Sequence, residues 1–371
     1  MKRPLAIALV ALFTLALTPT PALAITPDVS IVMRGLNNPR GLNFAPNGAL
    51  YVAEAGRGGT QPCFPSPEGG GTSLAGLSGS ISRLWRGTQD RIVTGLPSHA
   101  GPDGTGALGP HDVIFAGNLF LTVGLGGDPA ERAGCGTIGA DFGWLVRANV
   151  RGDARNEVDL AAYEASANPD GGIHDSNPYG LLAARGGGDE DGDGEIVATD
   201  AGGNSLLAIG RDAGQVRTLA TFPSRSSGRN TDAVPTSVAR GPDGALYVGE
   251  LTGFPFIPGT ANVYRVDAAG NRTVFRSGFS FITDITFGSD GSLYVLQFSS
   301  DPFPVGPGSI VRVTPSGTRS VVFAGLVTPT GLAIGRDGAL YVSNCGVFPA
   351  GTDGPPPCAA GGGGHVLRIK P

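Results

Sequence analysis

The sequence is poor in charge. Only 15% of its 371 residues are Asp, Glu, Lys or Arg, against roughly a quarter in ordinary globular domains. Lysine occurs only at Lys2 and Lys370, so the glycine-rich stretches 69–71 and 361–364 lack the lysine of a phosphate-binding loop. Histidine is confined to His99, His111, His174 and His365. No G-x-S-x-G elbow and no H-E-x-x-H helix occurs, which removes the common serine-hydrolase and zinc-protease signatures. The net charge of −5 gives no basic footprint, which argues against nucleic acid as a partner.

Long apolar runs are missing as well. Lys2 and Arg3 precede an apolar stretch over 5–17 that is too short to span a bilayer. Pro19, Pro21 and an A-x-A site ending at Ala24 follow, which is the pattern of a secretory signal peptide at 1–24. Its removal leaves 24 bases against 31 acids and no further membrane span. The expected location is secreted or periplasmic.

Cysteine is scarce but even in number: Cys63, Cys135, Cys345 and Cys358. In an exported chain an even count suggests disulfides. Cys345 and Cys358 flank one Gly/Pro-rich stretch and are expected to pair, which leaves Cys63 for Cys135. No C-x-x-C spacing suggests zinc.

Glycine and proline are what the chain has in abundance, 62 and 30 residues. Glycine does not recur at every third position, so collagen is excluded. With 40% hydrophobic residues the composition is not that of a solvated disordered chain. A repeat explains the glycine. RGPDGALYVGE (240–250), FGSDGSLYVLQ (287–297) and IGRDGALYVSN (334–344) align without gaps, and FAPNGALYVAE (44–54) is a fourth copy. In each, an apolar strand runs into a D-G or N-G turn suited to a tight hairpin, then into an L-Y-V strand. A third strand follows at 80–86, 262–267, 309–314 and 365–370, and a fourth at 90–96, 272–278 and 319–326. Two degenerate copies occupy 111–150 and 177–222.

Four antiparallel strands per repeat of about 47 residues make one propeller blade. The prediction is an all-β, six-bladed β-propeller over 25–371. The last blade has three strands at the C-terminus and takes its fourth from 29–36, so the ring closes without a free sheet edge. Trp85 and Trp144, on third strands, are expected between blades.

Second strands end in Glu54, Gly124, Asp200, Glu250, Gln297 and Asn344. First strands begin near Arg40, His111, Asp112, Tyr179, Thr236, Asp284 and Thr330. These residues are expected to face one mouth of the channel, opposite the D-G hairpins, and to bind a small molecule or a protein there. Several carboxylates around one channel repel unless a cation compensates, and a divalent ion, calcium, suits such oxygens. A second acidic motif, DEDGDGEIVATD (189–200), sets Asp189, Asp191 and Asp193 at calcium-loop positions 1, 3 and 5, with Asp200 in place of the bidentate Glu. The long loops 55–78, 98–110, 124–142 and 344–364 are expected around the same mouth.

The segments PHDVIFAGNLFLTVGLGGDP (110–129), DLAAYEASANPDGGIHDSNPYGLLA (159–183) and AVPTSVARGPDGALYVGELTGFPFIPG (233–259) resemble the ScyD/ScyE family over essentially the whole mature chain. These are exported bacterial proteins named for the scytonemin biosynthesis cluster. The resemblance implies six blades and an extracytoplasmic binding or accessory module, not scytonemin itself. More distantly, the repeats resemble NHL-type and SMP-30/gluconolactonase propellers. That likeness implies an alternative, a metal-dependent lactonase with Glu54, Asn344 and Asp200 or Asp284 on the ion. Quinone-dependent sugar dehydrogenases share the architecture, and Arg40 and His111 are the only residues at the mouth that would serve such chemistry.

Overall fold

A computed structural model describes residues 27–65, 72–183, 195–210, 214–222, 224–226, 230–300, 303, 306–352, 354–358 and 362–370. The signal-peptide segment and Asp189, Asp191 and Asp193 lie outside them. Six antiparallel sheets are arranged as a six-bladed β-propeller.

The first blade runs outward as Pro39–Phe44, Leu50–Glu54, Thr72–Trp85 and Thr88–Ala100. The second is Pro110–Ala116, Asn118–Val123, Trp144–Ala148 and Ala154–Asp159, and the third Pro178–Ala183, Ile196–Asp200, Ser205–Ile209 and Val216–Thr221. The fourth is Pro235–Arg240, Leu246–Glu250, Ala261–Val266 and Arg272–Phe279. The fifth is Ile282–Phe287, Leu293–Gln297, Gly308–Val313 and Arg319–Leu326. The sixth takes Gly331–Ile334, Leu340–Asn344 and Gly364–Lys370 from the C-terminus and Asp28–Leu36 from the N-terminus. That closing pair is antiparallel, with Val29 opposite Ile369 and Ile31 opposite Leu367.

The D-G reading holds because Gly48, Gly244, Gly291 and Gly338 all have φ between 73° and 86°, which L side chains adopt only under strain. The preceding aspartates tie the turns down. Asp243 accepts from Arg265 Nε at 2.7 Å and from Tyr247 OH at 3.3 Å. Asp337 repeats this with Arg368 and Tyr341, and Asp290 with Arg312. One aspartate, one third-strand arginine and, in two blades, the tyrosine of L-Y-V thus form a clasp around each of these hairpins.

The core is a set of wedges, one between each pair of neighbouring blades. Tyr51, Ile81, Leu121 and Phe142 pack between the first and second blades, and Leu36, Leu50, Val52 and Val366 between the sixth and first. Alternation along each strand sends apolar side chains to both faces, because a blade is covered on both sides. Trp85 and Trp144 are half-buried against the wedge of blades one and two, and Arg86 lies 4.5 Å above the Trp85 ring.

Both disulfides form as paired, Cys63–Cys135 and Cys345–Cys358. The loops expected at 55–78 and 124–142 carry structure of their own. Gln61–Pro65 pairs with an extension of the third strand of blade one, and a 3-10 turn at Pro129–Cys135 carries the partner cysteine. No described helix is long and apolar enough to cross a membrane.

Candidate ligand site

Four of the six innermost strands open on proline, Pro329 stands two residues ahead of a fifth, and the two residues after that place set the centre of the ring. The first of these two positions is Arg40, His111, Tyr179, Thr236, Thr283 and Thr330. Thr236 Oγ1 donates to the Ile282 carbonyl at 2.7 Å, Thr283 to Pro329 at 3.0 Å and Thr330 to Pro39 at 2.6 Å. Each bond runs to the carbonyl that opens the next inner strand. His111 Nδ1 makes the same bond to Pro178 at 3.1 Å. A carbonyl only accepts, so Nδ1 carries the proton and Nε2 keeps a lone pair. That Nε2 is buried without a partner. Burial, helped by the charge of Arg40, lowers the His111 pKa to about 3, so the ring is neutral.

Arg40 and Tyr179 break the pattern. Arg40 is buried and reaches over the axis to the Gly346 and Ala107 carbonyls at 2.9 and 2.6 Å. Tyr179 packs its ring 4.5 Å from His111, and burial raises its hydroxyl pKa. Asn38 adds bonds to the Gly56 and Gly104 carbonyls. Loops from the first, second and sixth blades are thus laced together by these two side chains.

The second position is Gly41, Asp112, Gly180, Ser237, Asp284 and Gly331. It faces the opposite way, into a cavity of about 400 Å³ walled by Leu42, Phe44, Ile114, Leu182, Phe287 and Ile334, among others. Those residues belong to the half of each inner strand that leads into the D-G hairpins. Asp112 and Asp284 are the only acids in the wall. Asp112 accepts from Val113 N at 2.7 Å and from Leu181 N of the next blade at 2.8 Å. Asp284 does the same with Ile285 and Leu332. Desolvation raises the Asp112 pKa to about 7 and pushes Asp284 well above the ordinary range, each opposed by its two N–H bonds; the nearby Asp112 charge raises Asp284 further. Asp112 has part of its surface open to the cavity. Gly41 is obligatory here, because a Cβ at that position would overlap the Asp112 carboxylate.

The acids and amides that end the second strands do something else. Glu54 is fully buried, accepts from Asn37 N and Ser82 Oγ, and pairs with Arg91 at 2.8 Å. Asp200 accepts from Ser176 Oγ and from Asn177, Gly202 and Gly203 N–H. Gln297 Oε1 holds Ser280 N, and Asn344 Oδ1 holds Val327 N while its amide nitrogen meets His365. Glu250 holds Asn262 N at 2.6 Å. Glu54, Asp200, Gln297 and Asn344 therefore latch the loop that enters their own blade's inner strand, and Glu250 latches its second-to-third-strand loop. Among the described residues, no three His, Cys, Asp or Glu side chains gather closely enough to hold a metal ion. Of the donors assigned to a lactonase-type ion, Glu54, Asn344 and Asp200 do not fit that role, since backbone N–H groups, serine hydroxyls and Arg91 take up their oxygens, and Asp284 lies apart from them in the cavity wall.

The expected single mouth therefore divides. Asp112 and Asp284 line the cavity on the hairpin side. Arg40, His111, Tyr179, Thr236 and Thr330 form the layer behind it, and Glu54, Asp200, Glu250, Gln297 and Asn344 sit in the loop-side framework. Thr283 and the cavity's apolar wall were not expected. The 47-residue step of the repeat from Thr236 to Thr330 was the available signal for Thr283.

No family model matches the chain, and no curated protein does. Among solved structures it is similar to virginiamycin B lyase from Staphylococcus aureus, at 16% identity and a TM-score of 0.51, over 93% of this chain and 100% of that one. A putative gluconolactonase matches at 11% identity and 0.52, over 93% and 92%, and a luciferin-regenerating enzyme at 12% and 0.50, over 93% and 96%. At these identities the likeness concerns the six-bladed fold.

Proposed function

We propose that the protein is an exported propeller of ScyD/ScyE type, cleaved after Ala24, that acts as a binding module for a small molecule in its central cavity. The observation that carries this reading is the cavity itself, which takes apolar side chains from every inner strand and holds Asp112 and Asp284 as its acids beside the polar Asn43, Ser237, Arg240 and Thr286. A concave site with apolar side chains on its walls and a few placed polar groups is built to bind and orient. Desolvation keeps a proton on Asp112 up to about pH 7, and a cationic group beside Asp112 and Asp284 would replace it, so the ligand class that fits is a small amine. The two disulfides fit export.

The lactonase reading, which the gluconolactonase-like neighbour would suggest, needs a free carboxylate set, and those side chains are engaged. The quinone-dependent reading needs a cationic cradle, and the two η nitrogens of Arg40 are spent on carbonyls.

The test is titration calorimetry with a series of aliphatic amines from pH 5 to 8, in buffers of different ionisation heat. Binding should release protons and should vanish in Leu182→Trp, which fills the cavity. Lactone turnover without amine binding would overturn the proposal.

A further inference from the structure

Outside the channel, one segment concentrates buried oxygen atoms that have no partner. The helix Leu160–Ala167 and the loop after it carry Glu164 Oε1, Asn168 Oδ1 and Asp175 Oδ1, all buried and all unpaired. Orphaned buried polar atoms in a folded protein call for a specific explanation, an ion among them. Glu164 is the extreme case. It is 1% exposed, and the charges acting on it are those of Asp200, Asp170 and Asp175. Those acting on Asp175 are Asp200, Asp232, Asp128 and Glu131. Among the described residues, no arginine or histidine forms an ion pair with Glu164, Asp170, Asp175 or Asp200.

The backbone opposite is cut back to receive these groups. A Cβ at Gly203 would stand 2.5 Å from Glu164 Oε2, and one at Gly202 would stand 2.7 Å from Asp175 Oδ1. The second strand of blade three thus ends in a bare Gly-Gly turn pressed against two carboxylates. Asp170 is held in place by Gly172 N and Asn204 Nδ2, and Asp200 by its four donors. Glu164 and Asp175 are left with oxygens to give.

We propose that Glu164 and Asp175 bind a calcium ion between the helix Leu160–Ala167, the loop over 168–177 and the Gly202-Gly203 turn. Calcium takes six to eight oxygens in a pliable shell, so two carboxylates with amide or peptide oxygens and water complete it, and a cluster of three acidic side chains is not required. Magnesium demands a tighter octahedron and keeps its water, which suits a pair of side-chain carboxylates on separate elements less well. The ion would neutralise the acids between the second and fourth blades and fix the loop that enters the third inner strand. The site is separate from the central cavity, and neither proposal depends on the other.

The full chain, freed of metal with EDTA, is titrated with CaCl2 while melting is followed. At a hundredfold excess over Kd the melting temperature should rise by several degrees, and terbium luminescence should report the same site. Glu164→Gln should melt no lower than the wild type without calcium, because no ion pair is lost with the carboxyl, and should lose the calcium-dependent rise. Asp175→Asn should weaken binding at least tenfold. Three outcomes overturn the proposal: no shift at about 5 mM CaCl2, beyond the range of weak extracellular calcium sites; a full calcium response retained in Glu164→Gln; or magnesium acting as well as calcium.

Discussion

Blades four to six and blades one to three perform the same architectural task with different chemistry. In the later half, Thr236, Thr283 and Thr330 make one bond each to the following blade, and Asp243, Asp290 and Asp337 clasp their hairpins in one way. In the earlier half those central places are taken by Arg40, His111 and Tyr179. The first blade gains a disulfide-linked extra hairpin, and a helix with unpaired acids is inserted between blades two and three. Repetition yields a scaffold held by the same threonine bond and the same clasp in successive blades. The departures from repetition are where the His111 nitrogen and the Glu164 and Asp175 oxygens stand buried without partners.

Five experiments sharpen or break this contrast. Replacing Cys63 and Cys135 by Ala opens a 72-residue closure and should cost about 4 kcal/mol in the chain-entropy account, against about 3 for the 13-residue closure of Cys345 and Cys358. Denaturant unfolding of both double variants measures the order. Next, Arg91→Ala strands the buried Glu54 carboxylate and should cost about 3 kcal/mol. A loss below about 1 kcal/mol would mean that Ser82 and Asn37 suffice.

The pH dependence of melting tests the cavity. The Asp112 carboxyl keeps its proton in the folded state up to about pH 7, whereas in the unfolded chain it ionises near its ordinary value. The folded state therefore binds the extra proton, and stability falls as pH rises from about 4 to about 7. The loss is about 2 kcal/mol after allowance for water in the cavity, and Asp112→Asn should flatten it. A curve unchanged in that variant would remove Asp112 from the argument. In the regular half, Thr283→Val should cost about 1 to 2 kcal/mol by leaving the Pro329 carbonyl bare. Arg312→Ala at an exposed clasp should cost less than about 1 kcal/mol, and an effect as large as that of Arg91→Ala would erase the distinction between the halves.

The fold was legible because its signals are local. A D-G pair fixes a hairpin, L-Y-V marks a strand, and the register of 29–36 against 319–326 implied the closing strand. The site was only half legible. The sequence places Asp112 next to His111, and a strand sends neighbours to opposite faces, so one reaches the cavity and the other the next blade. Which face held open space depended on loops that Arg40 and Asn38 draw together from distant blades. Glu54 and Asp200 looked like ligand groups because nothing local reveals that Asn37 N and Asn177 N occupy their oxygens. Glu164 and Asp175 went unnoticed for the opposite reason, since they lie in the segment that follows no repeat.

The pairing of Asp28–Leu36 with Gly364–Lys370 imposes an order in time. The propeller's first strand has no partner until Gly364–Lys370 has been made. Until then the first and sixth blades both present raw edges, and the chain is open to proteases and to pairing with its own copies. Completion is therefore a single late event that joins the two ends, and a few residues lost from either would undo it.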